Sequence, residues 1–108
     1  MDEKWTLKKI TYKKEPLFVE IKRLANPAFK EYYLKLDNEI IGYISQGEDR
    51  EYTPYFETYD DKQRLIQSME LYDSVTIDTA IIRIVRERKG HKKVDYRKQF
   101  LAKQQSIS

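Results

Sequence analysis

Residues 31–45 read EYYLKLDNEIIGYIS, and this stretch decides the fold. Tyr32, Leu34 and Leu36 alternate with Glu31, Tyr33 and Lys35, the period-2 signature of a strand with one buried face. Asp37 and Asn38 both tolerate the positive φ angles of a two-residue hairpin turn. EIIGYIS then returns as the second strand, and Gly42 inside it marks a bulge or a close backbone approach.

Outward from this hairpin the chain is strand-rich. WTLKKITY (5–12) mixes aromatic and β-branched residues, and LFVEIKRL (17–24) sets Leu17, Val19 and Ile21 on one side. Lys13 to Pro16 turn between them, and Asn26-Pro27 breaks the second segment. Pro54 lacks the N–H of a ladder residue, which predicts an edge strand in the aromatic segment 46–59. Asp60, with Gln63 three residues on, reads as a capping pair for a helix over 61–72 carrying Leu65, Ile66, Met69 and Tyr72 on one face. The Val, Thr and Ile density of 74–87 favours a long strand bulged near Ala80, with a helix through Ile81, Ile82 and Val85 as the alternative. Residues 93–104 fit a helix capped by Asp95 or a returning strand over 92–97, and the chain is expected to fray from about 104. The expectation is one α+β domain over 1–108. It has a small, strongly curled, mostly antiparallel sheet, or a partly open β-barrel, of five to six strands with one or two helices.

Composition narrows the chemistry. With no cysteine there is no disulfide framework or thiolate nucleophile, which suits a reducing cytoplasm. The start MDEKWTLKKI has no apolar run of signal-peptide type, and no stretch reaches membrane-spanning length, so a cytoplasmic protein without membrane contact is expected. The single His91 stands among cations, and the carboxylates at Glu48, Asp49, Glu51, Asp60 and Asp61 lie in hydrophilic segments. Acid–base work needs a carboxyl in a low-dielectric pocket. Neither an enzyme nor a metal or cofactor site is expected.

Charge is uneven. Residues 1–30 carry eight Lys or Arg against four Asp or Glu, residues 31–74 carry four against eleven, and residues 75–108 carry nine against three. Arg86, Arg88, Lys89, Lys92, Lys93, Arg97 and Lys98 crowd into one short run that also holds Tyr96. Each neutralised phosphate releases counterions, so such density suits a polyanion. Aromatic rings beside cations suit unstacked bases, and Tyr33 and Tyr96 are turned outward by alternation and neighbouring charge; Tyr12 is a further candidate, while Trp5 is assigned to the core. The leading expectation is a non-enzymatic nucleic-acid-binding domain for RNA or single strands, acting as a small regulatory protein of bacterial or phage type. Its proposed contacts are Arg86, Arg88, Lys89, Lys92, Lys93, Tyr96, Arg97 and Tyr33. The alternative is a protein-interaction module, an inhibitor or adaptor such as a mobile element carries. It would use Tyr52, Tyr55, Phe56 and Tyr59 of the acidic segment 48–61. An exposed edge near Pro54 also permits a dimer.

Overall fold

A computed structural model describes residues 4–90. Six strands are followed by one helix: β1 (Thr6–Tyr12), β2 (Glu15–Arg23), β3 (Glu31–Leu36), β4 (Glu39–Gln46), β5 (Tyr52–Tyr59), β6 (Leu65–Glu70) and α1 (Ile77–Gly90). The strands form one antiparallel meander in chain order. The α+β class holds, but β1 and β6 do not pair, so the sheet stays open and the expected barrel or strong curl is not formed. No described helix is long and apolar enough to cross a membrane.

Two hairpins are set by tight turns. Lys13-Lys14 and Asp37-Asn38 all take positive φ, and the flanking pairs Tyr12↔Glu15 and Leu36↔Glu39 close the two-residue loops. Between β2 and β3 the side chain of Asn26 accepts hydrogen bonds from the backbone N–H groups of Ala28 and Phe29. That is the local capture by which Asn competes with regular structure.

The anticipated helix over 61–72 is instead the β5–β6 turn and strand β6. Asp60 does bind backbone N–H groups, but those of Lys62 and Arg64, while Gln63 adopts φ 60°, a conformation that no helix accommodates. Pro54 is not on an edge strand, because β5 lies between β4 and β6. The ladder with β6 ends at Glu70, and the next pairing is the isolated bridge Tyr52↔Ser74. Proline sits at this interruption, where no regular ladder partner is lost, while its C=O still accepts from Leu71 N–H.

Residues 77–90 are helical, against the strand reading of 74–87. Ala80, Ile81, Ile84 and Val85 are all buried, a spacing that suits one face of a 3.6-residue period. Thr76 caps the start through its Oγ1 to Thr79 N–H, Asp78 lies in the first turn, and Arg88 and Lys89 lie in the last, matching the helix dipole. The cap and the helical period outweigh β-branched propensity.

The helix covers one face of the sheet. The core there comprises Ile10, Val19, Leu34, Leu36, Ile41, Ile44 and Phe56 from the strands against the four buried helix residues. Register shifts between Leu34 and Lys35: Leu34 pairs Gly42, Lys35 pairs Ile40, and Ile41 is the extra residue, buried in the core. A Cβ at Gly42 would lie 2.7 Å from Ile84 Cγ2 and 2.7 Å from the Tyr55 carbonyl oxygen. Gly42 therefore satisfies both sequence expectations, bulge and close approach.

Gly42→Ala is expected to cost about 1–3 kcal/mol, the range of an overpacked core, because a backbone carbonyl cannot swing aside. Gly90→Ala, whose added Cβ meets nothing within 4 Å, should leave the urea midpoint nearly unchanged. Equal midpoints for the two variants would refute the packing account.

Candidate binding face of the sheet

The face of the sheet opposite α1 is covered by no described element. Strand alternation and register put one continuous row there. Lys22 pairs Tyr33, Tyr33 pairs Tyr43, Tyr43 pairs Tyr55, and Tyr55 pairs Glu70. The rings of Tyr33 and Tyr43 lie 5.8 Å apart at 57°, and those of Tyr43 and Tyr55 lie 5.6 Å apart at 38°. Tilted pairs of this kind match the attraction of ring edge to ring face. Trp5 closes the row at the β1 end, with Lys35 Nζ 4.1 Å and Lys22 Nζ 5.8 Å from its ring centroid. Trp5 is half-buried on this face, not in the core where the sequence reading assigned it. Phe18, 55% exposed, adds a further ring on β2, opposite the exposed Lys9 of β1.

The face is electrically polarised. Lys22 and Lys35 lie by Trp5 and Lys9 lies farther along β1, with Glu20 among them; Glu31 stands on β3 beside Tyr43, and Glu57 and Glu70 stand on β5 and β6. The tyrosine hydroxyls occupy two of those carboxylates. Tyr43 donates to Glu31 Oε1 at 2.5 Å, and Asn26 Nδ2 donates to its other oxygen. Tyr59 donates to Glu57 Oε1 at 2.7 Å and Ser68 to Glu57 Oε2 at 3.1 Å. Glu57 is buried, so these bonds satisfy a group that would otherwise be costly there. Partial burial and, next, the Glu31 bond push the Tyr43 hydroxyl up to about 12. Burial and the Glu57 bond likewise raise Tyr59, and burial raises Tyr55. The Tyr43 and Asn26 bonds hold the Glu31 carboxyl below its ordinary range. All three tyrosines are therefore neutral at physiological pH.

The residues expected to bind are divided between the two sides. Tyr33 sits in the middle of the row. Arg86, Arg88 and Lys89 belong to α1 on the other side of the sheet. Arg88 reaches Glu39 at 3.3 Å. Lys89 lies 5.8 Å from the ring of Tyr12, which Lys13 approaches to 5.5 Å. Exposed Arg86 lines a groove of about 650 Å³ with Arg83, Glu70, Leu71, Tyr72 and Glu87, where acids and bases are matched two to two. Lys92, Lys93, Tyr96, Arg97 and Lys98 lie outside the described residues, as does the 93–104 segment. Of the alternative set, Tyr55 and Tyr59 stand on the open face, Tyr52 packs partly buried against the core, and Phe56 is 3% exposed within it. Asp49, Glu51 and Asp73 converge within 4.8 Å, but Asp49 already accepts from Glu51 N–H and Asp73 from the Thr53 hydroxyl.

Sequence reasoning missed Trp5, Tyr43, Lys22 and Lys35. Tyr43 had a legible signal, since it alternates with the buried Ile44 and Gly42. The chain matches no protein-family model, no curated protein and no solved structure.

The raised Tyr43 hydroxyl makes stability pH-dependent at the alkaline end. Unfolded tyrosine loses its proton near 10 and folded Tyr43 near about 12, so its contribution is intact below pH 10 and is lost as pH rises through that window. Glu31 acts with the opposite sign, its contribution being lost as pH falls through its depressed folded value. Glu31→Gln should lower the Tyr43 titration, read by ultraviolet difference absorbance, and flatten the acid limb of the stability curve. An unchanged phenol titration in that variant would sever the assigned link.

Proposed function

We propose that the open face binds single-stranded nucleic acid, RNA in the first instance, without catalysing a reaction. The observation that supports this is the row of Tyr33, Tyr43 and Tyr55, with Trp5 beyond Lys22 and both Lys22 and Lys35 beside the Trp5 ring. Bases present flat π-surfaces whatever their identity, so rings on a sheet hold an unpaired strand with little sequence demand. Lysines at one end give the phosphates a place to run, and the carboxylates at the other end favour a strand that enters from β1 to β3. The helix cations on the opposite side are not needed for this contact. A basic protein attracted to the Tyr55, Glu57 and Glu70 end is the rival reading, and the same variants separate the two.

Trp5 is the only tryptophan, so its fluorescence reports directly on the face. Titration with an oligouridine RNA should quench it, and the affinity should fall steeply with salt. Tyr33→Ala and Tyr55→Ala should each weaken binding by about 1–3 kcal/mol, as loss of one stacking platform does. Replacing Lys22 and Lys35 by Ala should reduce the log–log salt slope by roughly 0.7 per contact removed. The triple change of Arg86, Arg88 and Lys89 to Ala should preserve the quench. Binding that survives the tyrosine changes and disappears with the helix changes would move the site to α1. No binding at low salt would reject the function.

A further inference from the structure

The end of β6 and the two residues after it meet the middle of α1 at the groove of about 650 Å³ lined by Glu70, Leu71, Tyr72, Arg83, Arg86 and Glu87. Leu71 packs against the core and gives the groove its apolar lining. Arg83 and Arg86 are three positions apart, so they are neighbours on the helix surface. Arg83 is held by the bond from its Nε to Ser74 Oγ, at 2.9 Å. Ser74 is itself buried and joined to Tyr52 by two backbone hydrogen bonds, so this anchor is fixed. The terminal nitrogens of Arg83 stay uncommitted among the described residues. Arg86 is exposed and makes no hydrogen bond or ion pair to a described residue. The ring of Tyr72 is 84% exposed, an aromatic surface that the core does not use.

These groups select a ligand by their chemistry. Neighbouring guanidiniums present N–H forks that suit a phosphate. An exposed ring takes a flat heterocycle by stacking. Carboxylates accept from sugar hydroxyls and from the N–H groups of a base, and each has lone pairs for several donors, so neither gives up a bond it already makes. A volume of this size holds one small molecule. We propose that the groove binds a free nucleoside monophosphate, with its phosphate on Arg83 and Arg86, its base against Tyr72, and its hydroxyl and amino donors on Glu70 and Glu87. The acids decide between this ligand and a longer one. A groove lined by arginines alone would accept any polyanion, whereas two acids matched to two bases admit one phosphate and repel a chain of them. Only Glu70 is common to the groove and to the aromatic row. The site does not rest on the nucleic-acid reading, and each is tested without the other.

Equilibrium dialysis with AMP tests the site. AMP should bind at least about tenfold more tightly than inorganic phosphate or adenosine, since each of those lacks one half of the recognised group. Arg86→Ala should weaken AMP binding about tenfold or more, and Arg86→Lys should recover only part of it, because a point charge replaces the fork. Tyr72→Leu should weaken it at least about fivefold, while Tyr72→Phe keeps the ring and the affinity. Both side chains are exposed, so circular dichroism should show every variant folded. Tyr33→Ala should leave AMP binding unchanged, and Arg86→Ala should leave the oligouridine quench of Trp5 unchanged, so the two readings fail separately. AMP held no better than inorganic phosphate, or held equally well by Arg86→Ala, would overturn the proposal. So would AMP binding that disappears in Tyr33→Ala, which would move the nucleotide to the open face.

Discussion

The seat of Ile84 on Gly42 is the contact on which both faces of this sheet depend. With no Cβ at residue 42, the helix comes close enough for Ala80, Ile81, Ile84 and Val85 to be fully excluded from water. The bulge one residue earlier sends Ile41 into the same core. It also rephases β4. The Asp37-Asn38 turn alone would continue the Leu36↔Glu39 register and set Tyr33 opposite Gly42; the extra residue sets it opposite Tyr43 instead. One local irregularity thus fills the core on one side and assembles the row of rings on the other.

Among the described residues a single helix covers one face of the six strands, and the second face meets water without a covering layer. It achieves this with amphipathic residues. Cross-strand aromatic neighbours contribute roughly 0.2–1 kcal/mol each, and the phenol groups find carboxylates without leaving the surface. The features that stabilise the face are also those that a stacked ligand needs. Rings fixed by their neighbours lose little entropy on contact, which is why a platform binds more tightly than the same residues on a loop.

The hairpin at 31–45 was fully legible, because alternation and turn chemistry agreed there. So was the Asn26-Pro27 break. Three segments misled for one shared reason: local preference competed with pairing that no short window contains. Leu65, Ile66 and Met69 fit a helical face, yet β5 offered β6 a ladder, and Asp60 bound N–H groups in a loop where a cap was expected. Residues 77–90 are rich in β-branched residues but keep a helical period, and the Thr76 cap settles the contest. Pro54 tolerates an inner strand because the β5–β6 ladder breaks beside it, a circumstance created by residues 71–74. Half of the candidate face was hidden likewise. Tyr33 followed from alternation, but Lys22, Tyr43 and Tyr55 become its neighbours only through register across four strands.

Part of the charge that is dense along the sequence is already engaged within the fold. The helix that begins the basic run uses its polar side chains as tethers. Asp78 meets Lys8 at 3.1 Å, Arg83 bonds Ser74 at 2.9 Å and Arg88 meets Glu39, fixing α1 at β1, at the loop before the helix and at the β3–β4 turn. The two exposed ion pairs each add little, about 0–1 kcal/mol, but with the part-buried Arg83–Ser74 hydrogen bond they hold the helix at three separate points. The lysines that flank the aromatic row come from the opposite situation. Lys22 and Lys35 stand on different strands, neither in a long basic run, and the sheet brings both to the Trp5 ring. Charges dispersed in sequence and gathered by register can face a ligand, because the segments that carry them are already held by the ladder.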